Sequence, residues 1–248
     1  MNPAVRLTFL GTRGEIKARS RAHRRHSALL VQHAGTAIMI DCGADWLHRL
    51  NAVAPAAILV THAHPDHAWG LAEGAPCPVY ATKDTWAAIS AYPIRVRRRI
   101  GLRKPFTLGG LRIEAFPVMH SIRAPAVGFR ISTHGCCFFY VPDLVAIPNR
   151  SKALRGAQLY IGDGATLVRP MVRRRVGTLT GHASIRTQLG WCAKEHVPRA
   201  IFSHCGTQIV EGDGRTLNAA LTRLAWARGV EARFARDGLE ITLPGKPA

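Results

Sequence analysis

A cluster of histidines directly after a short apolar segment is the feature that most constrains this chain. Residues 56–61 are short and apolar, which is the pattern of a strand buried on both faces. They run into the sequence Thr61-His-Ala-His-Pro-Asp-His67, so three imidazoles and a carboxylate fall within six residues. A single histidine is usually an ordinary core or surface residue, but this cluster at the end of a buried strand favours a metal site.

The spacing of the four side chains predicts two adjacent metal positions. His62 and His64 alternate along an extended segment, so both can face one ion. Asp66 and His67 follow after the loop has turned, so they face a second position. Imidazole nitrogen and carboxylate oxygen suit Zn²⁺, and they also accept Mn²⁺ or Fe. We therefore expect two divalent metal ions, with Zn²⁺ as the first choice.

The order of predicted elements indicates an α/β protein built as a single domain over residues 1–248. Strands dominate the first half and include a hairpin at 28–40. Helices follow in the second half, at 184–195 and 215–228. Residues 230–243 are predicted as a closing pair of strands. Neither an internal repeat nor a low-complexity linker divides the sequence.

The charge of the chain is strongly positive. Lys and Arg number 34 against 15 Asp and Glu, which gives a formal net charge of +19. Such a field attracts anions, and nucleic acids, nucleotides and other phosphates are the obvious candidates. An arginine-rich composition without functional meaning explains part of this charge equally well.

The cysteines and the hydropathy pattern indicate the cellular compartment in which the protein is expected. The six cysteines show no paired spacing, which favours free thiols in a reducing cytoplasm. Residues 1–10 lack the apolar run of a secretory signal. No stretch approaches the ~20 apolar residues that a membrane span needs. We therefore expect a cytoplasmic protein without a membrane partner.

Further histidines and an aspartate follow later strands in a recognisable order. His120 ends Phe-Pro-Val-Met-His, Asp143 ends Phe-Tyr-Val-Pro-Asp, and His204 follows Ala-Ile-Phe-Ser. Together with the His-x-His-x-Asp-His segment, this order resembles the metallo-β-lactamase superfamily over roughly residues 5 to 210. The resemblance implies a four-layer αβ/βα sandwich and a metal-dependent hydrolase.

The resemblance also implies a set of metal ligands. One ion would take His62, His64 and His120. The other would take Asp66, His67 and His204, with Asp143 bridging the two ions beside a shared water or hydroxide. Asp41 has two readings from the sequence, either orienting a ligating histidine or capping the following helix.

The segment Gly181-His182-Ala-Ser184 points to one branch of this superfamily. It resembles the extra histidine motif of the phosphodiesterase branch, which includes tRNA 3′-processing endonucleases and a cyclic-phosphate phosphodiesterase. That resemblance implies that His182 contacts the scissile phosphate and protonates the leaving oxygen. We therefore predict Asp66 and His182 as catalytic and Ser184 as substrate-binding. Only 22 residues separate His120 from Asp143, which leaves little room for the long tRNA-gripping arm of the endonucleases.

Three arginine-rich segments suggest contacts to phosphate. The first lies between the first two strands, and from it we predict Arg13, Arg21, Arg24 and Arg25 as substrate-binding residues. The others cover residues 95–104 and 173–175. The expected substrate is a phosphodiester in RNA, DNA or a nucleotide. A homodimer is a further expectation, in which 95–104 would lie at the interface.

Two alternatives remain open from the sequence. The same metal site would serve a carbon-centred hydrolase acting on an ester, lactone or thioester. A non-catalytic nucleic-acid-binding module that keeps metal for stability is a third reading. The His182 motif and the arginines favour the phosphodiesterase over the carbon-centred hydrolase. The full set of ligands disfavours the binding module, because binding alone needs no bridging carboxylate.

Overall fold

Two seven-stranded sheets form the framework of the computed structural model, which describes residues 3–245. In chain order the strands are β1 (Val5–Gly11), β2 (Ala28–His33), β3 (Thr36–Ile40), β4 (Ala57–Leu59), β5 (Val79–Ala81), β6 (Arg97–Arg99), β7 (Phe106–Leu108), β8 (Leu111–Val118), β9 (Ala126–Ser132), β10 (Cys137–Tyr140), β11 (Leu159–Asp163), β12 (Met171–Arg175), β13 (Thr178–His182), β14 (Arg199–Ser203), β15 (Glu231–Phe234) and β16 (Leu239–Leu243). The helices are α1 (Leu50–Val53), α2 (Pro65–Ala68), α3 (Lys83–Ala88), α4 (Arg150–Leu154), α5 (Ile185–Lys194), α6 (Thr207–Glu211) and α7 (Gly214–Trp226), with 3-10 turns at Ala44–Trp46 and Trp69–Leu71.

Both large sheets mix parallel and antiparallel strands. The first has the order β16-β1-β2-β3-β4-β5-β6, and it becomes parallel from β3 onward. The second has the order β15-β14-β11-β10-β9-β8-β7, and its strands β10, β11, β14 and β15 are parallel. The hairpin of β12 and β13 forms a separate two-stranded sheet.

Three apolar clusters show that the molecule has four layers. Leu7 and Val31 of the first sheet meet Phe129 and Phe138 of the second in a cluster between the sheets. A second cluster packs Trp46, Leu50 and Ala68 onto the outer face of the first sheet. A third packs α4, α5 and α7 onto the outer face of the second sheet through Leu154, Leu189 and Leu221. The predicted four-layer α/β sandwich is confirmed.

One edge of the paired sheets collects the polar residues of the site. β10, β11 and β14 run in parallel, so Asp143, Asp163 and His204 lie at or just beyond neighbouring carboxyl ends. β8 is antiparallel to β9, which is antiparallel to β10, so His120 leaves the sheet at the same edge. The histidine cluster follows β4 of the other sheet. Strand direction alone therefore brings residues that are far apart in sequence to the same edge of the sheets.

One prediction about local structure is wrong. The closing strands do not pair with each other, because β15 joins β14 in the second sheet whereas β16 joins β1 in the first. The chain thus crosses from one sheet to the other after residue 234. His182 is the last residue of β13, which pairs with β12 up to this residue. Within residues 3–245, no helix is both long and apolar enough to cross a membrane.

Candidate metal centre and its cavity

Three imidazoles converge on one point at the edge of the sheets. His62 Nε2 lies 3.0 Å from His64 Nδ1, which lies 3.1 Å from His120 Nε2. The other ring nitrogens of His62 and His120 are occupied, by Thr61 Oγ1 at 3.0 Å and by the Gly181 carbonyl at 3.1 Å. Imidazole nitrogens that face one another at these distances, with the Asp143 carboxylate beside them, form a pocket for a cation. These are the three side chains predicted to share one ion.

A second group lies beside the first and contains the other three predicted ligands. His204 Nε2 lies 3.0 Å from Asp66 Oδ2, and His67 Nε2 lies 3.2 Å from the same oxygen. All three side chains are buried. Their ligand atoms lie within 4.8 Å of one another, which is close enough to hold one ion.

Asp143 stands between the two groups. Its Oδ2 is 3.7 Å from His62 Nε2 in the first group. The same oxygen is 3.7 Å from His204 Nε2 and 3.9 Å from His67 Nε2 in the second group. One carboxylate oxygen therefore reaches both groups, as a bridging ligand must. Buried His and Asp clusters of this form are consistent with a dinuclear metal site.

The protonation of His62 and His64, in the first of these groups, fits metal binding. Burial and the neighbouring imidazole of His120 lower the pKa of His64 to about 4, which leaves it neutral as a ligand must be. Burial and His67 likewise lower the pKa of His62. His67 Nε2 is fully buried and makes no well-aligned hydrogen bond within residues 3–245, although Asp66 Oδ2 lies 3.2 Å away. Burial lowers the pKa of His67, but Asp66 and Asp41 raise it to about 10, so a metal ion bound here would displace the proton of this nitrogen.

Asp41 orients one of the predicted ligands. Its Oδ2 accepts a hydrogen bond of 2.9 Å from His67 Nδ1, which directs Nε2 toward the centre. Asp41 also accepts from the Thr61 backbone and hydroxyl, whereas Gly43 occupies the N-cap of the following turn. Of the two readings, orientation of a histidine is therefore the one that the structure supports. Asp41 and His204 both hold a positive φ, of 62° and 56°, which is a strained conformation for such residues.

Asp163 is a member of the site that the sequence analysis missed. Its Oδ2 accepts a 2.9 Å hydrogen bond from His182 Nδ1, which also lies 3.0 Å from Asp143 Oδ1. Burial alone would lower the pKa of His182, but Asp163 and Asp143 together raise it to about 11. Asp163 thus fixes the ring through Nδ1, and Nε2 has no hydrogen-bond partner within residues 3–245. An acid at the end of the apolar strand β11, beside the strands that lead to Asp143 and His204, was the signal available in the sequence.

A cavity of about 470 Å³ opens onto the centre. His64, Asp66, His120, Asp143, His182 and His204 line it together. The loop after β1 closes one side with Gly14, Glu15 and Ile16. A Cβ on Gly14 would lie 3.0 Å from the His204 ring, so the loop approaches this closely only because residue 14 is a glycine. The predicted acid His182 and the predicted ligands therefore share one space.

The prediction that Arg13 binds substrate is wrong. Its side chain is 2% exposed, and its guanidinium donates to Asp45 Oδ2 at 2.6 Å, to His26 Nε2 at 2.8 Å and to the Ile16 carbonyl. All of these partners belong to the protein, so the group cannot turn to an external phosphate. Arg13 instead holds the loop after β1 in place.

Ser184 is also assigned to a different role. Its hydroxyl is buried and accepts a hydrogen bond from the Thr187 backbone, so it caps the N-terminus of α5. Arg21, Arg24 and Arg25 are exposed, but they do not line the cavity. Arg25 lies instead over the Trp46 ring, with 5.1 Å to the centroid. Substrate binding by these three arginines stays a prediction.

Comparison with known proteins agrees with the fold and the centre. Residues 36–205 match the family described as the beta-lactamase superfamily domain. The ribonuclease Z of Mycobacterium marinum is 25% identical, over 84% of this chain and 88% of that protein.

Two solved structures share the fold. The metallo-beta-lactamase fold protein YhfI from Bacillus subtilis superposes with a TM-score of 0.74 at 16% identity, covering 98% of this chain and 100% of that one. A diphosphatase from the PhnP family gives 0.73 at 21% identity, covering 98% of both chains. The chain therefore belongs to the metallo-β-lactamase superfamily, as a hydrolase-type member whose histidines and aspartates form a site for metal ions.

Proposed function

We propose that this protein is a metal-dependent phosphodiesterase that acts on nucleic acid or nucleotide phosphodiesters. The observation that carries the proposal is the position of His182, which lines the metal-centre cavity and donates a hydrogen bond from Nδ1 to Asp163. Hydrolysis of a phosphodiester expels an alkoxide, which is a poor leaving group unless an acid protonates it. The similarity to ribonuclease Z supports the same reaction.

The predicted ligands divide between two ions in this proposal. His62, His64 and His120 would hold one, and Asp66, His67 and His204 the other, with Asp143 between them. Zn²⁺ suits this set best, and Mn²⁺ or Fe would also fit. When bound, such a pair supplies an activated water and offsets negative charge on the phosphoryl oxygens.

The remaining chemistry belongs to side chains of the protein. Asp163 accepts a hydrogen bond from His182 Nδ1 and fixes the ring, so Nε2 carries the proton that is transferred. As the bond from phosphorus to the leaving oxygen breaks, that oxygen takes the Nε2 proton, while a hydroxide oxygen bonds to phosphorus. His182 regains its proton from solvent after the alcohol has left. The burial of Asp143 and His204 keeps bulk water away from this exchange.

Substitution of His182 tests this role when two leaving groups are compared. With an oligonucleotide, whose leaving group is an alkoxide, His182→Ala should reduce turnover by about 10²–10⁴-fold. With bis(p-nitrophenyl) phosphate the loss should be small, because p-nitrophenolate leaves without a proton. The metal content of the variant, measured by elemental analysis, should be unchanged.

His48→Ala is the matched control, since His48 is exposed and, in the part of the chain that the structure describes, pairs only with Glu73. It should behave as the wild type with both substrates. Equal losses with both leaving groups in His182→Ala would contradict the acid role.

A carbon-centred hydrolase is the second candidate, and one observation favours it. The metal-centre cavity is lined by the carboxylate of Glu15 and, among the described residues, by no arginine or lysine. A neutral ester or lactone would tolerate that carboxylate more easily than an anion would. Faster turnover of p-nitrophenyl acetate than of any phosphodiester would support this alternative.

A further inference from the structure

The hairpin of β12 and β13 projects from the molecule beside the metal centre. It forms its own two-stranded sheet, and every residue of β12 is exposed. It begins shortly after Asp163 and ends at His182, so both of its ends are fixed at the metal-centre cavity. A segment tied in this way holds a constant position relative to the reacting groups.

The register of the hairpin separates its arginines onto two faces. Met171 pairs with His182, Arg173 with Thr180, and Arg175 with Thr178. Because side chains alternate along a strand, Arg173 and Arg175 lie on the same face as His182. Arg174 pairs with Leu179 and lies on the opposite face, where it donates to the Gly177 carbonyl at 3.3 Å.

A groove of about 820 Å³ runs between this face and the loop that follows His120. Ser121, Ile122 and Arg123 form its other wall. Met171 and His182 line both this groove and the metal-centre cavity, so the two spaces adjoin at these residues. We call this space the hairpin groove.

The hairpin groove carries positive charge that no carboxylate on its described walls balances. Arg123, Arg173 and Arg175 line it, and none of them takes part in an ion pair within residues 3–245. No carboxylate is found among the described residues of its walls. Three unpaired guanidinium groups around one groove favour an anion with several charges.

We propose that the hairpin groove binds backbone phosphates of single-stranded nucleic acid next to the phosphate being cleaved. The inference rests on the proposed function and names its substrate class. Asp143, His120 and His204 are at most 6% exposed, so a flexible strand reaches them more readily than a duplex does. No aromatic side chain other than His182 is found on the described walls, so contacts to phosphate rather than to bases provide the affinity.

Binding of a cleavage-resistant oligonucleotide tests this proposal without reference to turnover. The probe is a fluorescein-labelled, phosphorothioate-linked single strand, and its anisotropy is titrated with metal-loaded protein at several salt concentrations. The double variant R173A/R175A should bind about 20-fold more weakly at 0.1 M salt, and the slope of log K against log salt should fall by about 1.4. Arg174→Ala, the matched control on the opposite face, should change affinity by no more than a few-fold.

Turnover of bis(p-nitrophenyl) phosphate separates this proposal from the proposed function. If the wild type hydrolyses it but R173A/R175A binds the strand as Arg174→Ala does, the groove proposal is overturned and the function stands. If the wild type hydrolyses no phosphodiester but the double variant alone loses binding, the hairpin groove is still a site for backbone phosphates, whereas the proposed function fails. The arginines are exposed, so circular dichroism should show that all variants are folded.

Discussion

The loop between β1 and β2 and the β12–β13 hairpin are both rich in arginine, yet they use it in opposite ways. In the loop, Asp45 accepts from Arg13 and Arg19 at 2.6 and 2.8 Å, so the guanidinium groups hold the loop to the protein. The hairpin has no such partner among the described residues, and its arginines face solvent and the groove. A carboxylate brought near by the fold, rather than the number of arginines, decides whether a basic segment is structural or available to a ligand.

Removal of the buried guanidinium should have the largest effect. Arg13→Ala leaves Asp45 and His26 without their buried partner, so the free energy of unfolding should fall by about 3 kcal/mol. Urea denaturation measures this change. Arg21→Ala, an exposed arginine of the same loop, should change it by less than about 0.5 kcal/mol. If Arg13→Ala and Arg21→Ala both lowered the free energy of unfolding only slightly, the arginines of the loop would not be structural, and the contrast with the hairpin would be wrong.

The pH dependence of stability should reveal the same buried network. Burial and Arg13 lower the pKa of His26 from 6.5 to about 4, so the unfolded chain binds a proton before the folded one as pH falls. His26 should therefore cost about 2 kcal/mol of stability between pH 7.5 and 5. His26→Gln should lose that part of the pH dependence in urea denaturation. A variant with the full pH dependence of the wild type would show that His26 is not held neutral.

The hairpin turn should give the smallest effect. Val176 is 96% exposed and has a φ of +47°, a conformation that costs a β-branched residue about 1 kcal/mol. Val176→Asn should relieve this strain, because Asn-Gly suits a two-residue hairpin turn. Amide hydrogen exchange of the hairpin should then slow by about fivefold. Val172→Asn, the control within a strand, should not slow the exchange of the hairpin amides. Faster exchange in Val176→Asn would contradict the strain assigned to Val176.

The sequence predicted the framework well because local patterns specified it. The strand before His62, the 28–40 hairpin and the helix predicted at 184–195 each follow from residues that are close in the chain. The separation of β15 from β16 was not predictable in this way, because it depends on distant partners in two different sheets.

The residues of the metal centre, like the framework, were predictable only in part from the sequence. The structure brings the seven predicted ligands together because their strands end at one edge. Asp163 was missed because one acid after a strand carries little signal until its neighbours are known. Arg13 was assigned to substrate because burial of a guanidinium depends on Asp45, 32 residues further along the chain.

Hydrolysis of two chromogenic substrates tests the central claim most directly. Bis(p-nitrophenyl) phosphate and p-nitrophenyl acetate are compared with Zn²⁺- or Mn²⁺-loaded protein, with and without a chelator. The account predicts turnover of the phosphodiester that the chelator abolishes, with little turnover of the ester. Preference for the ester, or phosphodiester turnover that survives removal of the metal, would contradict it.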